Sequence, residues 1–184
     1  MSAMTITDVP GTRPLTRADL ADTPDDGRRY ELVDGTLIVS PAPRIPHQRV
    51  VGNLHLLLRQ GCPDGLLVLF APTAVALAED TELQPDLLVA PTEQFTDKEL
   101  MGAPLLAVEV LSPSTSRVDR LLKRERLQEA GCPSYWLVDP DEPSILVLEM
   151  RDGGYVEAGR ATGSESLTLT APYAVTVCPA ELLA

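Results

Sequence analysis

Two acidic residues stand where the sequence otherwise predicts buried β-strand. Glu109 lies within the apolar run LLAVEVL, residues 105–111, and Asp86 directly precedes the apolar residues 87–90. Continuous apolar runs are typical of central strands that are covered on both faces. An ionised carboxylate at such a position is costly unless it is paired, hydrogen-bonded or bound to a metal. We therefore expect Asp86 and Glu109 to converge at one edge of a sheet.

Oxygen ligands at this edge would suit a hard divalent cation. The carboxylates of Asp86 and Glu109, the backbone carbonyl of Val110 and water are ligands of the kind that Mg²⁺ or Mn²⁺ prefers. The three cysteines show no C-x-x-C spacing and the chain has only two histidines, so a zinc centre is not expected. The predicted cofactor is Mg²⁺ or Mn²⁺, held mainly by carboxylates.

A lysine that could act beside these acids is found on the next element. Side chains at 109 and 111 share one side of a strand, so a lysine at 111 could position or deprotonate a water, but the residue there is Leu111. The chain has two lysines, Lys98 and Lys123, and Lys123 lies in the helix predicted after the strand. A lysine retained in an arginine-rich chain is consistent with a need for a compact, titratable amine. We expect Lys123 to return toward Glu109.

The surrounding pattern predicts a mixed α and β fold. Residues 46–60 carry apolar side chains at helical spacing, and a second helix is expected over about 116–130, with a capping-box start at Ser116 and Asp119 and a stop at Gly131. A short helix is expected after Thr16, and Asp34-Gly35 favours a tight hairpin turn. Strands fill most of the rest, which indicates a buried sheet with helices on its faces.

Length and composition are those of a single globular domain. We expect residues 1–13 to form a flexible tail and residues 14–184 to form one domain. Hydrophobic residues make up 44% and charged residues 23% of the chain, as in soluble proteins. No apolar run approaches the roughly 20 residues that cross a bilayer, and the N-terminus does not resemble a signal peptide. The expected location is the cytoplasm, without a membrane partner.

The charge distribution bears on a nucleic-acid partner in two opposite ways. The net charge of −12 disfavours binding to phosphate. However, a third of the basic residues fall within ten consecutive positions after the Glu109 strand. These are Arg117, Arg120, Lys123, Arg124 and Arg126. We expect this basic helix to steer phosphate toward the sheet edge.

Four segments together resemble a known family. QPDLLVAP and LLAVEVLSPSTSRVDRLLKRERLQEAGCPSYWLVDP, with YELVDGTLIVSP and PHQRVVGNL, are similar to the Uma family of putative restriction endonucleases, a branch of the PD-(D/E)XK nuclease superfamily. The similarity runs from Tyr30 to Pro140 and keeps the motif order. It implies a restriction-endonuclease-like α/β core, in which helices flank a mixed four-stranded sheet with the active site at a splayed edge.

The resemblance also implies roles for particular residues. Asp86 matches the aspartate of the PD motif and Glu109 the acid of the (D/E)XK motif. Lys123 matches the lysine that in this branch has moved from the strand to the following helix. Glu31 matches an N-terminal glutamate that completes the metal shell through water. Members often carry an aromatic residue where this chain has Leu127, a difference that affects packing more than chemistry.

The function expected from these residues is Mg²⁺-dependent hydrolysis of DNA phosphodiester bonds. Asp86, Glu109, Val110 and Glu31 would hold the metal, and Lys123 would orient the attacking water. A homodimer would allow both strands to be cut. Two alternatives stay open: a nuclease-fold binding module with little or no turnover, and a phosphodiesterase that acts on a substrate other than DNA.

Each acidic residue also has a structural explanation. Glu109 could simply pair with an arginine such as Arg117. Asp86 could cap the turn that leads from Pro85 into its strand. Glu31 could be an exposed strand residue beside a hairpin.

The two basic candidates have ordinary explanations as well. Lys123 could pair with Asp119 one helical turn earlier, a contact that contributes little. His47, directly after Pro46, is expected to be a partly exposed residue at a helix start, although it could also touch the site.

Overall fold

A computed structural model describes residues 5–7, 13–112 and 119–184 of the chain. Fourteen strands are present in these ranges: β1 Thr5–Thr7, β2 Arg29–Val33, β3 Thr36–Ser40, β4 Leu66–Phe70, β5 Ala74–Ala78, β6 Thr81–Leu83, β7 Leu87–Pro91, β8 Glu99–Met101, β9 Leu106–Val110, β10 Ser134–Asp139, β11 Ser144–Arg151, β12 Gly154–Thr162, β13 Leu167–Leu169 and β14 Val175–Val177. The α-helices are α1 Ile45–Gly61 and α2 Arg124–Glu129. A π-helical turn spans Asp119–Lys123, and 3₁₀ turns span Arg17–Asp22, Thr92–Gln94 and Pro179–Leu183.

The central sheet confirms the prediction for the Glu109 strand. Its strand order is β12-β11-β10-β9-β7-β4, and β9 therefore has a neighbour on each side. β9 pairs parallel to β10 and antiparallel to β7, which makes the sheet mixed. All five residues of β9 are buried. The apolar run around Glu109 is thus a central strand whose two faces are both covered.

The two faces of β9 contribute to different parts of the core. Val108 and Val110 pack in a cluster with Leu54 and Leu58 of α1. Ala107 and Leu111 belong to a cluster on the opposite face. This alternation places Glu109 on the same face as Leu111, because side chains along a strand alternate with period two.

A second sheet covers the face that carries Glu109. Its strand order is β1-β3-β2-β6-β5-β8, and Val33, Ile38 and Leu83 of this sheet pack in one cluster with Ala107 and Leu111. The resemblance implies a core of four strands flanked by helices, with extra antiparallel strands. The central sheet has six strands, and the extra strands include a second sheet that covers much of one face. The short strands of the second sheet bury their apolar side against the central sheet. The spacing of apolar residues in the sequence does not show which sheet face these strands cover.

The hairpin of β2 and β3 has the predicted tight turn. Asp34 and Gly35 both have positive φ, 51° and 72°, the conformation that a type I′ turn requires at its two central residues. Leu32 then faces Leu37 across the hairpin. This register matters for the site because β2 carries Glu31.

The helix after β9 differs from the expected continuous α-helix over 116–130. Its predicted start at Ser116 lies outside the described residues. The π-helical turn comes first, and α2 then continues to the stop at Gly131, which has the positive φ of 82° that favours glycine.

The π-helical turn changes which side chains face the core. Leu121 and Leu122 are exposed, whereas Lys123 and Leu127 are buried. A π-helical turn adds a residue to the helical repeat, and this rotates Lys123 onto the buried side.

The N-terminal part contains more structure than expected. The sequence predicted a loose tail for residues 1–13, but β1 within it pairs with β3 at the edge of the second sheet. The short helix expected after Thr16 is a 3₁₀ helix with a capping box formed by Thr16 and Asp19. Across the described ranges, no helix combines the length and apolar character needed to cross a membrane.

The hairpin turn provides a test of the fold. A Cβ added at Gly35 would lie 2.7 Å from Pro14 Cβ, whereas a Cβ at Gly27, also at positive φ, would meet no atom within 4 Å. Gly27→Ala should cost about 1 kcal/mol of backbone strain, and Gly35→Ala about 2 kcal/mol or more because the steric clash is added. Urea unfolding measures both variants. Equal destabilisation would contradict the described contact.

Candidate active site

Asp86 and Glu109 meet at one edge of the central sheet, as their positions in the sequence predict. β7 and β9 pair with Leu87 opposite Val108, and continuing this register places Asp86 opposite Glu109. The backbone N–H of Val110 donates a 2.8 Å hydrogen bond to Asp86 Oδ2. Both acidic side chains are buried. Asp86 is therefore hydrogen-bonded to the end of the strand that carries Glu109. Its role is not limited to capping the turn after Pro85.

Lys123 joins Glu109 to Glu31. Its Nζ lies 3.0 Å from Glu109 Oε1 and 2.9 Å from Glu31 Oε1, and each of the three side chains is at most 2% exposed. Glu31 also accepts a 2.8 Å hydrogen bond from the backbone N–H of Gln84. Glu31 is thus not an exposed strand residue. As expected, Lys123 reaches Glu109 from the following helix. Leu111 packs in the core.

Arg29 is a further member of the site that the sequence argument missed. Its Nη1 lies 2.7 Å from Asp86 Oδ1 and donates a 3.0 Å hydrogen bond to the carbonyl of Gln84. Its Nε lies 3.5 Å from Glu31 Oε2. The alternation Arg-Tyr-Glu along β2, which puts Arg29 and Glu31 on one side of the strand, was the available signal.

His47 contradicts the expectation of a partly exposed residue at a helix start. It is 7% exposed, and its Nε2 lies 3.1 Å from Asp86 Oδ2. The first turn of α1 packs over the edge of the central sheet, which buries His47 against Asp86. His47 is therefore a neighbour of the site.

Burial and charge act in opposite directions on Asp86. Burial alone would raise the pKa of Asp86, but the hydrogen bond from His47 and the charges of Arg29, His47 and Lys123 outweigh it and hold this pKa well below its usual value. Burial likewise opposes ionisation of Arg29, but the carboxylates of Glu31, Asp86 and Glu109 raise the pKa of Arg29. Asp86 and Arg29 are thus both charged at neutral pH.

The donor chemistry of this cluster fits a hard divalent cation. Glu31, Asp86 and Glu109 bring three buried carboxylates together, and among the described residues the basic side chains of Arg29 and Lys123 contact them. Oxygen ligands with excess negative charge are what Mg²⁺ and Mn²⁺ require. Within the described ranges, however, no three acidic, histidine or cysteine side chains are arranged so that they could hold a metal ion.

A cleft leads to the Asp86 side of the cluster. Its volume is about 750 Å³, and its lining includes Arg29, Tyr30, His47, Phe70 and Asp86. This volume is in the range of small-molecule and cofactor pockets, and several of its lining groups are charged. A ligand in the cleft would reach Asp86 directly.

Acidic neighbours balance part of the positive charge among those basic residues of this helix whose side chains the structure describes. Arg126 Nη1 lies 2.6 Å from Glu129 Oε2 and 3.4 Å from Asp34 Oδ1, so acidic neighbours balance its charge. Arg124 donates a 3.4 Å hydrogen bond to the carbonyl of Tyr155. Arg117, the alternative partner of Glu109, lies outside the described residues. Lys123 is the described member of this group that reaches the site.

Comparison with a solved structure agrees with the mixed α/β fold described above. The chain is similar to the crystal structure of a putative nuclease belonging to DUF820 from Anabaena variabilis ATCC 29413, with a TM-score of 0.72 and 18% sequence identity. The match covers 92% of this chain and 98% of that chain. At this identity the likeness shows the fold alone, a mixed α/β architecture.

The family follows from the sequence match. The model of the Uma2 family, described as putative restriction endonuclease, matches residues 17–179. The chain belongs to this family. No curated protein matches it.

The burial of Lys123 provides a test of the site as a structural unit. Lys123→Met should lower the free energy of unfolding by about 3–5 kcal/mol, because it removes a cation that compensates two buried carboxylates. The exposed Lys98 provides the matched control, and Lys98→Met should change stability by no more than about 0.5 kcal/mol. Urea unfolding at neutral pH measures both. A small effect of Lys123→Met would contradict the buried ion pairs.

Proposed function

We propose that this protein is a metal-dependent endonuclease that hydrolyses phosphodiester bonds in DNA. One observation carries the proposal: the Lys123 ammonium lies within hydrogen-bonding distance of both Glu31 and Glu109, beside a strand end that Asp86 also contacts. Three buried acids and one buried lysine at a sheet edge bring together the types of group that a divalent cation and a phosphate ester require. Membership of the Uma2 family supports the same activity.

The residues that would hold the metal are Asp86, Glu109 and the backbone carbonyl of Val110, with Glu31 acting through water. A bound Mg²⁺ or Mn²⁺ would supply a Lewis acid for the scissile phosphate and would lower the pKa of a coordinated water. The chain itself contributes the placement of the carboxylates. The hydrogen bond from Val110 to Asp86 fixes the ends of β7 and β9 relative to each other.

Lys123 supplies a positive charge that contacts both Glu31 and Glu109. An ammonium in a buried site can orient a water molecule by hydrogen bonding and can stabilise negative charge that develops on a phosphate oxygen. Its two carboxylate partners hold Nζ in place before the substrate arrives. Burial strengthens each of these interactions, because little water is present to screen them.

The cleft beside Asp86 is the route by which we expect the DNA backbone to reach the site. With a net charge of −12, attraction to phosphate must come from local groups, and Arg28 and Arg29 line this cleft. Cutting both strands would require two active sites, which a homodimer would supply. The substrate class rests on the family, and the local chemistry suits phosphodiesters in general.

Cleavage assays with matched variants test the proposal. With Mg²⁺ or Mn²⁺ and plasmid or single-stranded DNA, Glu109→Gln and Lys123→Met should each reduce the cleavage rate by about 100-fold or more, because each removes a charge that acts in the transition state. The exposed residues Glu93 and Lys98 provide controls of the same type. Glu93→Gln and Lys98→Met should cleave like the natural protein.

Three results would contradict this function. Equal cleavage by the natural protein and both site variants would show that a contaminant cuts the DNA. If the natural protein cleaves no DNA and divalent ions do not raise its melting temperature, the chain is instead a nuclease-fold binding module. Cleavage of a small phosphodiester such as bis(4-nitrophenyl) phosphate, without cleavage of DNA, would indicate another substrate.

A further inference from the structure

Arg29 lines the open cleft beside Asp86 and also contacts Glu31, which is not among the lining residues. Its side chain is 18% exposed and lines the cleft, while its inner face contacts Asp86 and Glu31. Glu109 and Lys123 lie deeper and are not among the described residues that line the cleft. An ion that enters from the cleft therefore meets the Arg29 guanidinium before it meets the full set of carboxylates.

Arg29 also uses the oxygen atoms that a metal would need. Asp86 Oδ1 contacts Arg29 at 2.7 Å, while Asp86 Oδ2 contacts His47 and the N–H of Val110. Glu31 Oε2 faces Arg29 at 3.5 Å, and Glu31 Oε1 contacts Lys123. A guanidinium and a divalent cation both require carboxylate lone pairs, so they compete for them.

This competition gives a physical reason why no metal-holding set of three side chains is arranged within the described residues. Arg29 contributes one positive charge beside two of the three acids and spreads its donors over both. A hydrogen bond thereby holds Asp86, and an ion pair holds Glu31, in positions that suit a planar guanidinium. A metal needs the same oxygens turned toward a single point.

We propose that Arg29 is a positioning residue that occupies the metal's place on Asp86 and Glu31 and that a divalent cation must displace. This inference rests on the proposed metal-dependent function. When displaced, the guanidinium moves outward into the cleft. There it can donate two parallel hydrogen bonds to a phosphate group of the DNA, the geometry for which arginine is suited. Metal binding and substrate binding are then coupled through one side chain.

The test uses Mn²⁺ alone and needs no cleavage. Affinity is measured by titration calorimetry and by the rise in melting temperature of the full-length protein. Arg29→Gln should bind Mn²⁺ about tenfold or more tightly than the natural protein, because a competing charge within a few ångströms is removed. Its melting temperature should be lower without metal and should rise further when Mn²⁺ is added.

Two further variants separate this role from general loss of stability. Arg29→Lys keeps the charge but cannot bridge both carboxylates, so its Mn²⁺ affinity should fall between those of the natural protein and Arg29→Gln. Arg17 provides the matched control, since it too bridges two carboxylates, Glu82 and Glu99. Arg17→Gln should bind Mn²⁺ no more tightly than the natural protein, because Arg17 does not contact the site.

The outcomes distinguish this inference from the function on which it rests. Unchanged or weaker Mn²⁺ binding by Arg29→Gln, with clear binding by the natural protein, would overturn the inference and leave the metal site intact. No Mn²⁺ binding by either protein would overturn both. With short single-stranded DNA as substrate, Arg29→Gln should also raise KM more than it lowers kcat, whereas an unchanged KM would contradict the outward movement.

Discussion

The mutual compensation of buried charges at the edge of the central sheet is the constraint on which the site depends. Glu31, Asp86 and Glu109 are all nearly inaccessible to solvent, and each would destabilise the protein strongly if it were left ionised without a partner. Arg29 and Lys123 lie among them and contact all three. Such a network is worth little as a source of stability, because desolvation offsets most of the attraction. Its presence is better explained by function.

Different elements of the fold contribute the charged side chains of this cluster. The antiparallel register of β7 and β9 aligns Asp86 with Glu109, and the hairpin of the second sheet delivers Glu31. The π-helical turn before α2 then rotates Lys123 inward. These elements come from distant parts of the sequence, and the two sheets meet over Leu111 and Leu83. The apolar contact between the sheets therefore fixes the distances within the charged cluster.

Part of this arrangement could be predicted from the sequence. A carboxylate in a continuous apolar run is conspicuous, which identified Glu109 and Asp86, and the scarcity of lysine drew attention to Lys123. The hairpin turn at Asp34-Gly35 and the helix over 46–60 follow from strong local signals. The structure brings these residues together. Their catalytic and metal-binding roles stay predictions.

Other parts depend on tertiary contacts that no local pattern reveals. Arg29 is one of many arginines, and nothing in its own segment shows that Asp86 lies opposite it. His47 was expected to be partly exposed, because its burial depends on how α1 packs over the sheet. The hairpin of β2 and β3 was predicted, but its assembly into a second sheet was not, because the other strands are short and several pair with partners far along the chain. The π-helical turn departs from the regular spacing that helix prediction assumes.

The central claim, that these acids form a divalent cation site, is tested most directly by diffraction from crystals grown with Mn²⁺. The account predicts an anomalous peak within coordination distance of the carboxylates of Asp86 and Glu109, with the Arg29 guanidinium no longer on Asp86. The claim would be contradicted if the protein cleaves DNA but its crystals show Mn²⁺ bound elsewhere, with Arg29 and Lys123 still paired to the acids.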